Sequence, residues 1–97
     1  MTTAEFMSAV KAIESQVMEE VTGAQEYMNC ADSWKNQNST IAAYYNDMAK
    51  QELDHARRLQ DMLPLIKGTG DFTEDQKTII NFLVEMNADQ IRRVANK

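Results

Sequence analysis

The first third of the chain carries an unbroken heptad stripe of mostly apolar residues. Its members follow one another at alternating spacings of four and three residues: Phe6, Val10, Ile13, Val17, Glu20, Ala24, Tyr27, Ala31 and Trp34. This spacing places all of them on one face of an α-helix and turns that face toward partner helices. Only Gly23 weakens the segment, at a cost of about 1 kcal/mol relative to alanine. We therefore predict a bundle helix over about residues 3–35.

A second stripe with the same spacing follows the polar break at residues 36–39. Its members are Ile41, Tyr45, Met48, Glu52, His55, Leu59 and Met62, and a column of alanines at 42, 49 and 56 flanks it. The small alanine side chains would allow a neighbouring helix to approach closely. The predicted second helix spans about residues 39–63, since Pro64 cannot donate the next backbone hydrogen bond and should end or kink it.

A third helix is predicted over about residues 73–95. Thr73 and Gln76 have the spacing of a capping box, as do Thr2 and Glu5 at the start of the first helix, and a turn with two glycines (residues 67–71) precedes Thr73. The apolar stripe of this helix is broader and less regular than the first two. The fold class is therefore all-α, a long antiparallel hairpin plus a C-terminal helix, in one domain covering residues 1–97.

Composition narrows the partners and the compartment. The formal net charge of −5 disfavours nucleic acid and anionic membrane as main partners. The N-terminus lacks a signal-peptide pattern, and no apolar run is long enough to span a membrane. The single cysteine, Cys30, fits a reducing compartment and cannot build a rubredoxin-type iron site. We expect a cytoplasmic protein, with residence inside a protein compartment as an open possibility.

Two of the polar residues in the stripes, Glu52 and His55, are three residues apart and so share a helix face. Glu20 lies about 16 residues before the predicted turn, and the pair lies about 15 and 18 residues after it. At 1.5 Å per residue, the three side chains occur at about one level of an antiparallel hairpin. Two carboxylates and an imidazole suit iron, manganese or zinc. The alternative is that these polar residues only set helix register. Tyr27 on the same stripe is better explained as a core residue than as one that contacts a cofactor.

These residues resemble the ferritin-like di-iron proteins, particularly bacterioferritin, rubrerythrin and the encapsulated ferritins. The resemblance covers about residues 10–63 and is carried by Glu20, by Tyr27 and Ala31 after it, and by Glu52-x-x-His55-Ala56. It implies that Glu20 is a terminal ligand, that Glu52 bridges two irons and that His55 caps one iron. Tyr27 would stand beside the site. A full ferritin carries a second set of ligands in the same chain, so this sequence looks like half of one.

The resemblance implies a di-iron protein with ferroxidase-type activity, with Mn or Zn as other possible metals. One chain supplies too few ligands for two irons, so we expect a homodimer or larger homo-oligomer that completes a ferritin-like four-helix bundle. In a three-helix monomer, Glu85 would have to supply the missing carboxylate. The alternative function is a helical interaction or assembly protein with a structural or vestigial metal site.

Overall fold

Three α-helices make up the chain in the computed structural model, which describes residues 2–67 and 73–96. Helix α1 spans Thr3–Trp34, α2 spans Ser39–Lys67 and α3 spans Glu74–Ala95. Both predicted capping boxes are present: Thr2 caps α1 and Thr73 caps α3, each side chain accepting a hydrogen bond from the backbone N–H three residues on. The all-α prediction is confirmed. The glycine-containing turn predicted before α3 lies at residues outside the described ranges.

Helix α2 continues past the point where Pro64 was expected to end it. The helix includes the proline and ends at Lys67, one turn later than predicted. The reason is packing: Leu63 is fully buried, and Ile66 packs against the same apolar cluster. Burial of these side chains offsets the hydrogen bond that the proline cannot donate.

The hairpin of α1 and α2 buries a different column of α2 from the predicted stripe. The buried residues are Ala42, Ala49, Leu53, Ala56 and Leu63. The alanine column was expected to flank the contact; instead it forms the contact, because small side chains let the two backbones come close. The predicted stripe of α2 is left half-buried or exposed along one side of the hairpin.

Helix α3 packs against both helices of the hairpin through two apolar clusters. One cluster joins Ile91 and Val94 to Val17 and its neighbours, and the other joins Ile80 to the pair Phe6 and Val10. Val17 of α1 is therefore fully buried within one chain. Phe82 of α3 is 63% exposed.

A half-buried surface remains along one side of α1 and α2, and we call it the open flank. It consists of Ile13, Glu20 and Tyr27 of α1 and of Tyr45, Met48, Glu52 and His55 of α2. The molecule is a rod of 55 × 18 × 15 Å with a radius of gyration of 16.3 Å, against about 13 Å for a compact domain of this length. A rod of this shape leaves much apolar surface available to another chain. Within the described residues, no helix has the length and apolar character needed to cross a bilayer.

Candidate metal centre

The structure brings Glu20, Glu52 and His55 together at the middle of the open flank. One potential ligand atom from each residue lies within 4.8 Å of the other two. The Nδ1 atom of His55 is 3.5 Å from Oε2 of Glu20 and 3.8 Å from Oε1 of Glu52. Because α1 and α2 are antiparallel and joined by a short turn, the three side chains lie at the same height along the hairpin, as their distances from the turn predicted. Their role as metal ligands stays a prediction.

The three groups lie at the boundary between the protein interior and solvent. The side chains of Glu20 and Glu52 are each 27% exposed, and that of His55 is 50% exposed. Oε2 of Glu20 is nevertheless buried and has no hydrogen-bond partner within the described part of the chain. A buried carboxylate oxygen without a donor is costly, so this atom requires a proton or a cation.

The carboxyl groups of Glu20 and Glu52 also interact unfavourably when both are ionised. The pKa of Glu52 is raised above its ordinary value of 4.5. The largest cause is that a proton on Glu52 can be shared with Glu20; burial and the negative charge of Glu20 add to it, and His55 partly opposes them. Two carboxyl groups held this close disfavour double ionisation. A cation bound between them would remove that repulsion.

Gly23 provides the space in which the carboxylate of Glu52 lies. A Cβ atom added at this glycine would be 3.0 Å from Oε2 of Glu52, and 3.8 and 3.9 Å from its Cδ and Cγ atoms. A real side chain at position 23 would therefore require the carboxylate to shift by a few tenths of an ångström. Sequence reasoning treated this glycine only as a tolerated weakness of α1. The signal that could have identified it was its position three residues after Glu20, on the side facing α2.

The donor set fits iron. Two carboxylates and one imidazole nitrogen are ligands that Fe²⁺, Mn²⁺ and Zn²⁺ accept, and the set contains no thiolate. Three protein ligands are fewer than a two-metal centre needs, and among the described residues no further His, Cys, Asp or Glu joins the group. Glu85 is exposed on α3 and lies outside it. The chain thus presents three candidate metal ligands on a half-buried surface.

Tyr27 lies one heptad after Glu20 on the open flank. It is half-buried, and its ring packs against that of Tyr45, with ring centroids 6.2 Å apart and planes inclined by 34°. It makes no hydrogen bond or ion pair to the three polar residues in the described structure. The contact with Tyr45 supports the core interpretation, and a place beside the site stays a prediction.

Comparison with known proteins identifies one family. The family model described as Rubrerythrin matches residues 11–94, a range that contains the three candidate ligands and most of all three helices. The match confirms the ferritin-like di-iron resemblance predicted from Glu20 and Glu52-x-x-His55, and extends it to α3. No curated protein and no solved structure gives a significant match.

Proposed function

Because the chain belongs to the rubrerythrin family, we propose that it is a non-haem di-iron protein with ferroxidase-type activity. Glu20, Glu52 and His55 are the proposed metal ligands. The observation that carries the proposal is the convergence of these three side chains within 4.8 Å, with a buried oxygen of Glu20 that has no hydrogen-bond donor. Fe²⁺ would be the substrate, and dioxygen or peroxide would be the oxidant.

We place the complete site between two copies of the chain. A two-fold axis beside the open flank would double three ligands to six and turn two hairpins into a four-helix bundle. The same operation would cover the half-buried apolar residues of the flank, among them Ile13, Tyr45 and Met48. The rod shape of the single chain supports this arrangement, since one hairpin and α3 leave that side uncovered.

Each residue has a distinct task in this proposal. The iron pair supplies the redox chemistry, and the protein supplies its geometry and shields it from bulk water. Glu20 and Glu52 would provide the negative charge that attracts the cation. His55 provides the nitrogen donor, which must be neutral to bind metal. Tyr27, one heptad after Glu20 and packed against Tyr45, is proposed to stand beside the site.

Metal content and mass together test the proposal. The purified protein is expected to hold iron, manganese or zinc near one ion per chain, and sedimentation should show that Fe²⁺ shifts the population toward the dimer, because metal would bind only the assembled form. A metal-loaded species with the mass of one chain would exclude the site between copies. An assembly protein in which Glu20, Glu52 and His55 only set helix register predicts no bound metal and a melting temperature that chelators leave unchanged.

Gly23→Ala should separate metal binding from helix stability. Alanine favours the helix by about 1 kcal/mol, but its Cβ would lie 3.0 Å from Oε2 of Glu52. We expect helical content equal to or above wild type, together with weaker iron binding measured by titration. The matched control is Thr22→Ala, an exposed neighbour on the same helix turn. Unchanged iron affinity in Gly23→Ala would show that the position of the Glu52 carboxylate does not matter for binding.

A further inference from the structure

A second group of polar residues lies inside the protein, away from the candidate metal centre. Among the described residues, buried side-chain oxygens without a hydrogen-bond partner occur on Glu14, Gln60 and Asn87, apart from the one on Glu20. These three residues belong to three different helices. Asn87 is completely buried, and its Nδ2 donates a 2.6 Å hydrogen bond to Oε2 of Glu14.

The three residues occupy one level of the three-helix core. Glu14 lies about 22 residues before the turn between α1 and α2, and Gln60 lies about 24 residues after it, so at 1.5 Å per residue their heights agree closely. Asn87 joins this level through its hydrogen bond to Glu14. We call this group the polar layer.

Apolar clusters lie on both sides of the polar layer. On one side are Val17, Leu53 and Ile91 with their neighbours, and on the other are Val10, Leu63 and Ile80. The layer also falls on the regular core stripe of α3, in which the core-facing residues are Ile80, Val84, Asn87, Ile91 and Val94. A polar residue at a single core position fixes helix register, because any slip would bury its polar group against apolar side chains.

Two of the three oxygens without partners in this layer belong to Glu14 and Asn87, which already share a hydrogen bond. Oε1 of Glu14 and Oδ1 of Asn87 are both acceptors and are both buried. A proton on Glu14 would let the carboxyl O–H donate to the amide oxygen while the amide N–H donates to the other carboxyl oxygen. One proton therefore satisfies both buried oxygens, whereas an ionised Glu14 leaves the amide oxygen unpaired.

Charged neighbours do not offset the burial of Glu14. Within the described residues it takes part in no ion pair, and its pKa is raised by burial, with the hydrogen bond from Asn87 acting in the opposite direction. Arg57 and Asp61 of α2 and Arg92 of α3 line a pocket with Gln60, and Lys11 precedes Glu14 by three residues on α1. Both arginines are already paired with aspartates of their own helices.

We propose that the polar layer is a proton-operated latch that holds α3 on the hairpin. With Glu14 neutral, the carboxyl and amide groups pair in both directions and the latch is closed. With Glu14 ionised, the pairing runs in one direction only and α3 is held less tightly. A raised folded-state pKa means that this contribution to stability is fully present below the ordinary value of 4.5, and is lost as pH rises through the folded-state pKa.

Glu14→Gln tests the latch, because glutamine imitates the neutral acid at every pH. We expect the melting temperature of the full chain, followed by circular dichroism, to fall with rising pH less in the variant than in wild type. The difference between them should grow through the folded-state pKa and reach roughly 4 °C at alkaline pH. Taking the difference between the two proteins cancels the contribution of every titratable group that both of them contain.

Two further variants keep the test decisive. Asn87→Asp keeps the shape but places two acids together, so its stability should fall more steeply with pH than that of wild type. Glu19→Gln, an exposed acid on α1, should leave the pH profile unchanged. A Glu14→Gln difference that is zero, or constant across pH, would overturn the latch. The latch would also be overturned if the melting-temperature difference between Glu14→Gln and wild type vanished on adding a chelator. That result would mean that a bound cation, and not a proton, interacts with Glu14.

Discussion

Replacing His55 with alanine is expected to abolish the oxidation of added Fe²⁺ while the helices remain. His55 is the only histidine in the chain, so no other imidazole can replace its nitrogen. Mutating a partner that merely orients a metal ligand costs roughly 10–100-fold in affinity or activity, and loss of the ligand itself should cost more. The measurement is the initial rate of Fe³⁺ formation, with circular dichroism to verify the fold.

The fold should tolerate this substitution because the His55 side chain is 50% exposed. Asp54→Asn is the matched control: Asp54 is the adjacent residue, and it is exposed and paired with Arg57 instead of facing the site. It should oxidise Fe²⁺ at nearly the wild-type rate. If His55→Ala oxidised Fe²⁺ at the wild-type rate, His55 would not be a metal ligand, and the proposed site would be wrong.

Glu52→Gln is expected to be more damaging than Glu20→Gln. Family resemblance assigns Glu52 to bridge two metals and Glu20 to bind one, so the first substitution would weaken both metal positions. Iron stoichiometry by elemental analysis, measured beside the oxidation rate, should fall further in Glu52→Gln. Glu26→Gln and Glu85→Gln replace exposed acids outside the group and should behave like wild type.

Equal loss of iron in the two glutamine variants would contradict the bridging assignment without removing the site. A further comparison uses the metal-free proteins. Glutamine at position 52 cannot ionise, so it removes the repulsion between two carboxylates that raises the pKa of Glu52. Metal-free Glu52→Gln should therefore be at least as stable as metal-free wild type near neutral pH, although it binds less iron.

The sequence predicted the helices well because their signals are local. Capping boxes at Thr2 and Thr73 start helices where their spacing indicated, and the short polar break before Ser39 makes α1 and α2 antiparallel. The same two facts bring Glu20 beside Glu52 and His55, since equal distances from a turn give equal heights. No knowledge of the third helix was needed for that result.

The polar layer could not be predicted in the same way, because it depends on how α3 packs. Ile13 takes the regular place in the stripe of α1, so Glu14 reads as an ordinary residue just off it. Once α3 covers that side, Glu14 points into the core. The heptad position of Asn87, four residues before Ile91 and seven before Val94, was the available signal. For α2, the heptad periodicity predicted the wrong set of residues at the contact with α1. The pattern of apolar residues carries no information on how closely alanine side chains allow two helices to approach.

Pro64 has a consequence for the local opening of α2. A proline has no N–H to donate to the carbonyl of Gln60, four residues earlier, so the last turn of the helix lacks one backbone hydrogen bond. Leu63 and Ile66 anchor this turn in an apolar cluster. Amide hydrogens after the proline should therefore exchange with solvent through small openings that leave the rest of α2 intact. The rod is then expected to fray from this end first, while the middle of the hairpin exchanges only on global unfolding.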